Sequence, residues 1–310
     1  MKFAMGPHTW DVTVRQLEAA GHELVALDEA EVYLNTRQDP ALFPQLPPSI
    51  RWVQHCFTGV NVFIEAGLIS DAPGAIPWAN AAGAFAKPVA ESALALLLST
   101  AHRHTELARE ASWARAREID EAQFWLYPQG RRRRVVVLGA GGIGKELIRM
   151  LAPFDVHVTA VTRSGREVPG ADAAVGIGEH MPAVAEADVV VAILPLTEAA
   201  RGLIDAAFFR AMPAHALFVN VGRGATVVTD DLVDALRNWE IAGAGLDVVD
   251  PEPLPDGHPL FALPNATVTP HMAASGQVAQ FHIPAIFEAN AAAFARGERM
   301  PTQVDPKAGY

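Results

Sequence analysis

Between residues 135 and 270 the chain alternates short, Val-rich apolar runs with stretches whose apolar residues recur at helical spacing. The runs are VVVLG (135–139), VHVTAV (156–161), DVVVAIL (188–194), ALFVNV (216–221), GAGLDVV (243–249) and ATVTP (266–270). Between them lie KELIRMLAPF, EAARGLIDAAFFRAM and DDLVDALRNWE. Asp230 and Asp231 stand where the first turn of a helix favours acids. Runs this apolar suit strands covered on both faces, and strand–helix alternation joins such strands into a parallel sheet. The expected class is therefore α/β, with a doubly wound domain in this half of the chain.

The first hundred residues carry a weaker version of the same pattern. KFAM reads as a strand, residues 12–20 as a helix ending at Gly21, and ELVAL, EVYLN, RWVQHCF and AIPWAN as further strands. Pro47-Pro48 and Pro73-Gly74 mark loops. The stretch PVAESALALLLSTAHRHTELAREA (88–111) reads as one long helix opened by a proline, and the junction between domains is placed on it. From about Gln277 a further helix and a tail complete the chain. At 310 residues, half of them hydrophobic, there is material for two cores.

A formal net charge of −11 argues against a non-specific nucleic-acid binder, which needs a basic face. The local exception, Arg131 to Arg134, reads as a solvated lead-in to a buried strand. The single cysteine, Cys56, forms no disulfide framework or metal clip and reads as a small buried hydrophobe. His102 and His104, two apart on a helix, make a poor metal pair, and no metal is expected. The N-terminal segment is too short and polar for a signal peptide, and the longest apolar segment is interrupted by Glu91. The expectation is a cytoplasmic protein that engages neither membrane nor nucleic acid.

VVVLGAGGIGKE (135–146) nearly spells an ATPase phosphate loop, but that loop needs a hydroxyl after its lysine to ligate magnesium. Glu146 stands there, and a carboxylate would repel a triphosphate. As G-x-G-x-x-G the same residues suit a dinucleotide in a Rossmann fold. Gly139 permits the tight turn, Gly141 lets backbone approach the pyrophosphate and Gly144 allows close helix–strand packing. Gly142 and Ile143 complete the turn. At the end of the second strand, where an NAD site carries an acid for the ribose hydroxyls, the chain has Thr162, Arg163, Ser164 and Arg166. Nothing there repels a 2′-phosphate, and two guanidiniums and two hydroxyls can bind one. NADP(H) is therefore expected over NAD(H).

Ligands of open parallel sheets bind beyond the carboxyl ends of the strands. Arg223, Glu252 and His271 all fall in or just beyond such ends, with Pro270 stiffening the approach to His271. Together they suit hydride transfer to a 2-oxo acid. A protonated His271 donates to the oxygen as negative charge grows there, and a carboxylate at Glu252 favours the imidazolium. Arg223 grips the substrate carboxylate and polarises the carbonyl.

These residues resemble the D-isomer-specific 2-hydroxyacid dehydrogenases. The resemblance runs from about Gly59 to His282, most strongly from Val135 to Gly276. It rests on NAAGAFAKPVAESALALLLSTAHR, GAGGIG, LPLTEAARGLI, NVGRGATVVTDDLVDAL, AGLDVVDPEPLP and TPHMAASG in that order. It implies that Arg223 grips substrate, that Glu252 pairs with the catalytic His271, and that Asp247 lies near the nicotinamide. It also implies that Leu194, Pro195, Val221 and Gly222 line the cofactor. The turn Thr58, Gly59, Val60 is similar to the family loop whose amides hold the substrate carboxylate, with Asn61 where that loop usually has Asp.

The absence of an acid at Thr162-Arg163 matches NADP-using members such as glyoxylate/hydroxypyruvate reductases. The resemblance further implies a small flavodoxin-like α/β substrate domain from residues 1–99 plus 277–310, a Rossmann NAD(P)-binding domain over 100–276, a cleft that closes on binding, and a homodimer. Some relatives of the family are corepressors, so a dinucleotide-sensing binding protein without turnover is the alternative. Phe57, Trp78 and Met272 lie near motif positions and suggest a pocket for an apolar substrate side chain.

Overall fold

Residues 1–309 are described by a computed structural model, and they divide into two units. One comprises Met1–Phe85 and the segment from Ala274 onward, and the other Ala86–Ala273. In the first, the chain runs β1 (Lys2–Gly6), α1 (Asp11–Ala19), β2 (Glu23–Leu24), β3 (Val32–Asn35), β4 (Trp52–His55), α2 (Asn61–Glu65) and β5 (Trp78–Ala79). The strands pair in parallel in the order β2-β1-β3-β4-β5, which is the flavodoxin-like order. β3 and β4 are buried throughout. ELVAL and AIPWAN each contribute only two residues of strand, because β2 and β5 lie at the edges of the sheet, with β5 carrying only an isolated antiparallel bridge from Ala79 to Gln303 on its outer side. Trp78 belongs to the core of this unit, stacked on Phe43 with ring centroids 4.9 Å apart, and so does not line a pocket.

The second unit opens with α3 (Ala86–Ala101), α4 (His104–Glu110) and α5 (Ala116–Glu121). The single helix expected over 88–111 is thus two. Arg103 adopts the left-handed region (φ +55°), which breaks the helical ladder, and its guanidinium sits 2.5 Å from Glu106 and 5.7 Å from the Trp239 ring. The whole of α3 belongs to the second unit, so the division falls at 85/86 and not within the last turn of that helix. α3 lies over the sheet, and the glycines of GAGL make room for it: a Cβ at Gly245 would meet Thr100 Oγ1 at 2.9 Å and Leu96 Cβ at 3.2 Å.

The chain continues through β6 (Arg134–Leu138), α6 (Gly142–Leu151), β7 (His157–Thr162), β8 (Ala173–Gly176), α7 (Met181–Ala185), β9 (Val189–Ala192), α8 (Ala206–Ala211), β10 (Leu217–Asn220), α9 (Thr229–Arg237), β11 (Gly243–Leu246) and β12 (Ala266–Val268). All seven strands are parallel, in the order β12-β11-β10-β9-β6-β7-β8. This is the Rossmann order, and it reverses between β6 and β9. β8 had no counterpart among the expected runs; it is a half-exposed edge ending in glycine and lacks the Val-rich signature. β9, β10 and β11 are buried residue by residue. The helices bury Phe208, Phe209, Leu232 and Leu236 against the face presented by Val136, Val190 and Phe218.

At the amino edge of this sheet the arginine run is not merely solvated. Arg131 makes a two-pronged pair with Asp188 at 2.7 Å on each oxygen, and Arg132 bonds Asp172 at 2.8 Å. Arg133 stacks over Phe124 at 4.5 Å, and Arg134 pairs with Glu186. The Asp188 side chain is fully buried and also accepts from the Arg134 amide and His215. Burial alone pushes this carboxyl up, but Arg131, the Arg134 amide and His215 together hold it below the ordinary carboxylate value.

The chain then returns to the first unit through α10 (Gly276–Ala295), which packs on α1. Its buried Asn290 donates to Gln54 of β4 at 2.8 Å.

Candidate active site

Strand register decides which residues share an edge. Leu138, Ala192, Asn220, Leu246 and Val268 are aligned across β6, β9, β10, β11 and β12, and Val161 is level with Leu138 on β7. The residues that follow them, spread over more than a hundred positions of sequence, therefore emerge along one carboxyl edge.

The dinucleotide turn lies where the strand order reverses. Gly139 has φ +96°, and a Cβ there would stand 2.6 Å from the Ile193 carbonyl oxygen, so both conformation and space require glycine. A Cβ at Gly144 would meet the Gly139 carbonyl at 2.8 Å, and one at Gly222 the backbone of Leu194 at 2.8 Å. The segments after β6, β9 and β10 are thus packed backbone to backbone at Gly139, Leu194 and Gly222, with Val221 buried beside them in sequence and Pro195 exposed. Gly141 faces open space, and Gly141 and Gly142 are exposed. No side chain caps α6, so its first-turn amides remain available to an anion. Ile143 is half-buried behind them.

At the end of β7, Thr162 is buried and its Oγ1 has no hydrogen-bond partner. Arg163, Ser164 and Arg166 are exposed, and neither arginine forms an ion pair among the described residues. An orphaned hydroxyl, two unpaired guanidiniums and an open glycine face fit a phosphorylated dinucleotide.

Farther along the edge, Arg223, Glu252 and His271 converge. His271 Nδ1 donates to Glu252 Oε1 at 2.5 Å, and both side chains are a little under half exposed. The ring's other nitrogen, Nε2, has no protein partner among the described residues. Arg223 is half-buried, and its Nη1 donates to the Gly222 carbonyl at 2.7 Å. Burial lowers the Arg223 guanidinium from its usual value while the negative charge of Glu252 opposes that shift. Glu252 thus acts on both partners. A Cβ at Gly224 would fall 1.8 Å from the Val249 carbonyl oxygen, so only glycine lets the Arg223 loop lie against the segment leading to Glu252.

Two positioning residues, Asn220 and Thr269, were not among those the sequence pointed to. Asn220 ends β10 buried; its Oδ1 accepts from the Gly222 amide at 3.0 Å and its Nδ2 donates to the Arg223 carbonyl at 3.3 Å. A lone polar residue in an otherwise apolar run was the available signal. Thr269 donates to Asp247 Oδ1 at 2.6 Å. Asp247 accepts further from the amides of Met272 (2.8 Å) and Ala273 (2.9 Å), and its carbonyl accepts from the His271 amide at 2.8 Å. These bonds hold His271 at φ +52°, a left-handed conformation that a residue with a side chain adopts only under constraint. Asp247 therefore builds the turn that carries the histidine.

In the first unit, Thr58, Gly59 and Val60 form the loop between β4 and α2. Phe57 is half-buried, edge-on to Trp10 at 6.0 Å and parallel to Phe85 at 6.3 Å. Cys56 is buried, and burial pushes its thiol up, away from reactivity. Met272 of the second unit is exposed.

Residues 94–273 match the family described as D-isomer specific 2-hydroxyacid dehydrogenase, NAD binding domain. The chain belongs to this family. An uncharacterized protein in proB 3'region of Corynebacterium melassecola is 42% identical over 311 residues, covering all of both chains. The human glyoxylate reductase/hydroxypyruvate reductase is 35% identical over 222 residues, covering 69% of this chain and 66% of the relative. The crystal structure of a D-isomer specific 2-hydroxyacid dehydrogenase from Xanthobacter autotrophicus Py2 in complex with NADPH and MES is similar over 100% of this chain and 99% of that one, with TM-score 0.81 and 28% identity.

The D-2-hydroxyacid dehydrogenase described here is thus an oxidoreductase of 2-oxo and 2-hydroxy acids that binds NAD(P). Among the described residues no helix is long and apolar enough to cross a membrane.

Proposed function

We propose that this dehydrogenase reduces a 2-oxo acid to the D-2-hydroxy acid, using NADPH in preference to NADH, with His271 as proton donor. The observation that carries the reading is the 2.5 Å bond from His271 Nδ1 to Glu252, which leaves Nε2 as the nitrogen that meets substrate. When bound, the reduced nicotinamide supplies a hydride to the carbonyl carbon. His271 releases the Nε2 proton to the carbonyl oxygen as charge builds there, and the Glu252 carboxylate steadies the imidazolium before transfer. Arg223 remains protonated despite its burial and presents its guanidinium to the substrate carboxylate and carbonyl.

Thr58, Gly59 and Val60 are assigned to the substrate carboxylate. Gly139, Gly141, Gly142, Ile143, Gly144, Leu194, Pro195, Val221 and Gly222 are assigned to the cofactor, and Asp247 to its nicotinamide end through the turn it builds. The preference for NADPH rests on Thr162, Arg163, Ser164 and Arg166, and is consistent with the NADPH bound to the Xanthobacter relative. A cytoplasmic homodimer is the proposed form; the exposed Trp113 (93%), Trp125 and Tyr127 are apolar side chains available for contact with a second copy.

Oxidation of NADPH followed by absorbance, with glyoxylate, hydroxypyruvate and phenylpyruvate as a series graded by size, tests the reading. Turnover with at least one, faster with NADPH than with NADH, is expected. No turnover with any 2-oxo acid would overturn it in favour of a nucleotide sensor. Light scattering after size exclusion reads the oligomer.

A further inference from the structure

The loop Thr58–Gly59–Val60 is fastened from beneath by side chains of its own unit. His55, the last residue of β4, is fully buried among Phe57, Phe63 and Trp78. Its Nε2 lies 3.2 Å from the Gly59 carbonyl oxygen, and its Nδ1 3.1 Å from Asn35 Nδ2. A carbonyl only accepts and an amide nitrogen only donates, so Nε2 carries the hydrogen and Nδ1 accepts. Burial drives His55 down to about 3, against the opposing effect of its bond to Gly59, so the ring stays neutral in this tautomer at any working pH. Asn35 is itself anchored, donating to the Arg37 carbonyl at 3.0 Å.

The preceding carbonyl is fastened too: Asn80 Nδ2 donates to the Thr58 carbonyl at 3.0 Å, and Asn80 Oδ1 accepts from the Ala82 amide at 3.0 Å. The Asn80 carbonyl is gripped by Gln54 at 3.0 Å and Thr302 at 2.7 Å.

In a trans peptide the carbonyl and the following N–H point in opposite directions. The only cis bonds among the described residues precede prolines, so this rule holds throughout the loop. Turning the Thr58 carbonyl to Asn80 turns the Gly59 N–H away from it, and turning the Gly59 carbonyl to His55 does the same for the Val60 N–H. Neither amide donates a hydrogen bond to any described residue. Both amides are thereby left as successive donors without a protein partner, which is what an anion needs of a backbone loop.

We infer that His55 and Asn80 are positioning residues for substrate, aiming the Gly59 and Val60 amides at the carboxylate of the 2-oxo acid. The inference rests on the reductase reading above. It assigns the grip of this loop to two neutral side chains that never touch the ligand.

Kinetics on the full-length enzyme supply the test. His55→Leu keeps most of the volume and removes the donor; KM for the 2-oxo acid should rise about tenfold, the worth of one well-made hydrogen bond. The values of kcat and KM for NADPH should stay unchanged. His55→Gln, whose amide can reach the Gly59 carbonyl, should recover most of the loss, which a role in packing alone would not produce. Asn80→Ala releases the Thr58 carbonyl and should raise the same KM, so the inference remains testable if His55→Leu does not fold.

Binding of oxamate, an unreactive 2-oxo acid analogue, to the NADPH-saturated protein can be read from the ¹H–¹⁵N signals of Gly59 and Val60 without turnover. Shifts at both amides, weakened about tenfold in affinity by His55→Leu, support the inference. Equal oxamate affinity and equal KM in wild type and variant would overturn it, as would the absence of shifts at these amides in a wild type that turns over. Absence of turnover with the amide shifts retained would strike the reductase reading alone and leave the positioning roles standing.

Discussion

The carboxyl edges of the two sheets present different kinds of group. The edge of the seven-stranded sheet presents ionised side chains: Arg223, Glu252 and His271, drawn together at the ends of three separate segments. The edge of the five-stranded sheet presents backbone amides, aimed by the buried and neutral His55 and Asn80. A proton donor must change its charge during the reaction, so it needs a titratable ring with a partner and access to solvent. A carboxylate holder need only be rigid, and a neutral frame buried beneath a loop supplies rigidity without the cost of burying charge. In the proposed function the large sheet's edge supplies the proton and a guanidinium for the substrate, and the small sheet's edge supplies rigid amides for its carboxylate.

The sharpest way to break that assignment is His271→Asn. It removes the proton donor and should lower kcat by about 10²–10⁴, with KM for NADPH unchanged. Near-normal turnover, measured by steady-state kinetics with saturating NADPH, would take the chemistry away from this edge. Arg223→Lys keeps the charge and loses the planar fork, and kcat/KM for the 2-oxo acid should fall about 10²-fold. If the variant instead moved KM alone, as the His55 substitutions are expected to do, Arg223 would hold the carboxylate without polarising the carbonyl.

Arg163→Ala should raise KM for NADPH about ten- to a hundredfold while leaving NADH nearly unaffected. Equal losses with both nucleotides would remove the basis for the NADPH preference.

The smallest functional effect is expected at the opposite edge of the large sheet. Asp188→Asn should lower unfolding free energy by about 2–3 kcal/mol, discounted because Arg131 is half exposed, with kcat preserved. Because the folded carboxyl lies below its ordinary value of 3.8, its contribution is complete above that value and is lost as pH falls through the folded value. Denaturant titrations at falling pH should therefore show a smaller acid-side loss in Asp188→Asn than in wild type.

The large sheet was readable because its strands are buried on both faces, which leaves few residue types other than Val, Ile, Leu and Ala for them. The turn at Gly139 was readable for a related reason: positive φ and a carbonyl 2.6 Å from the missing Cβ exclude every other residue. β8 was not, since an edge needs no continuous apolar run; the two short edge strands were readable as strands in ELVAL and AIPWAN, but not in their length. Nor was the break at Arg103, where the helical pattern runs on through His104 to Glu110 and contacts with Glu106 and Trp239 hold the left-handed turn. Trp78 suggested a pocket by its place near a motif, yet β5 buries it in the core.

The amino-acid order by itself established the chemistry available: glycines at a strand–helix turn, basic residues where a ribose acid would stand, and an arginine, an acid and a histidine beyond strand ends. It could do so because close approach and charge restrict residue type locally. Only the tertiary structure decided which nitrogen of His271 is free, that Asp247 builds its turn, and that His55 and Asn80 orient the loop. Those depend on hydrogen bonds between atoms whose residues lie about 20 positions apart or more in several cases, and such bonds are set by how the strands align, a property no short stretch of sequence carries.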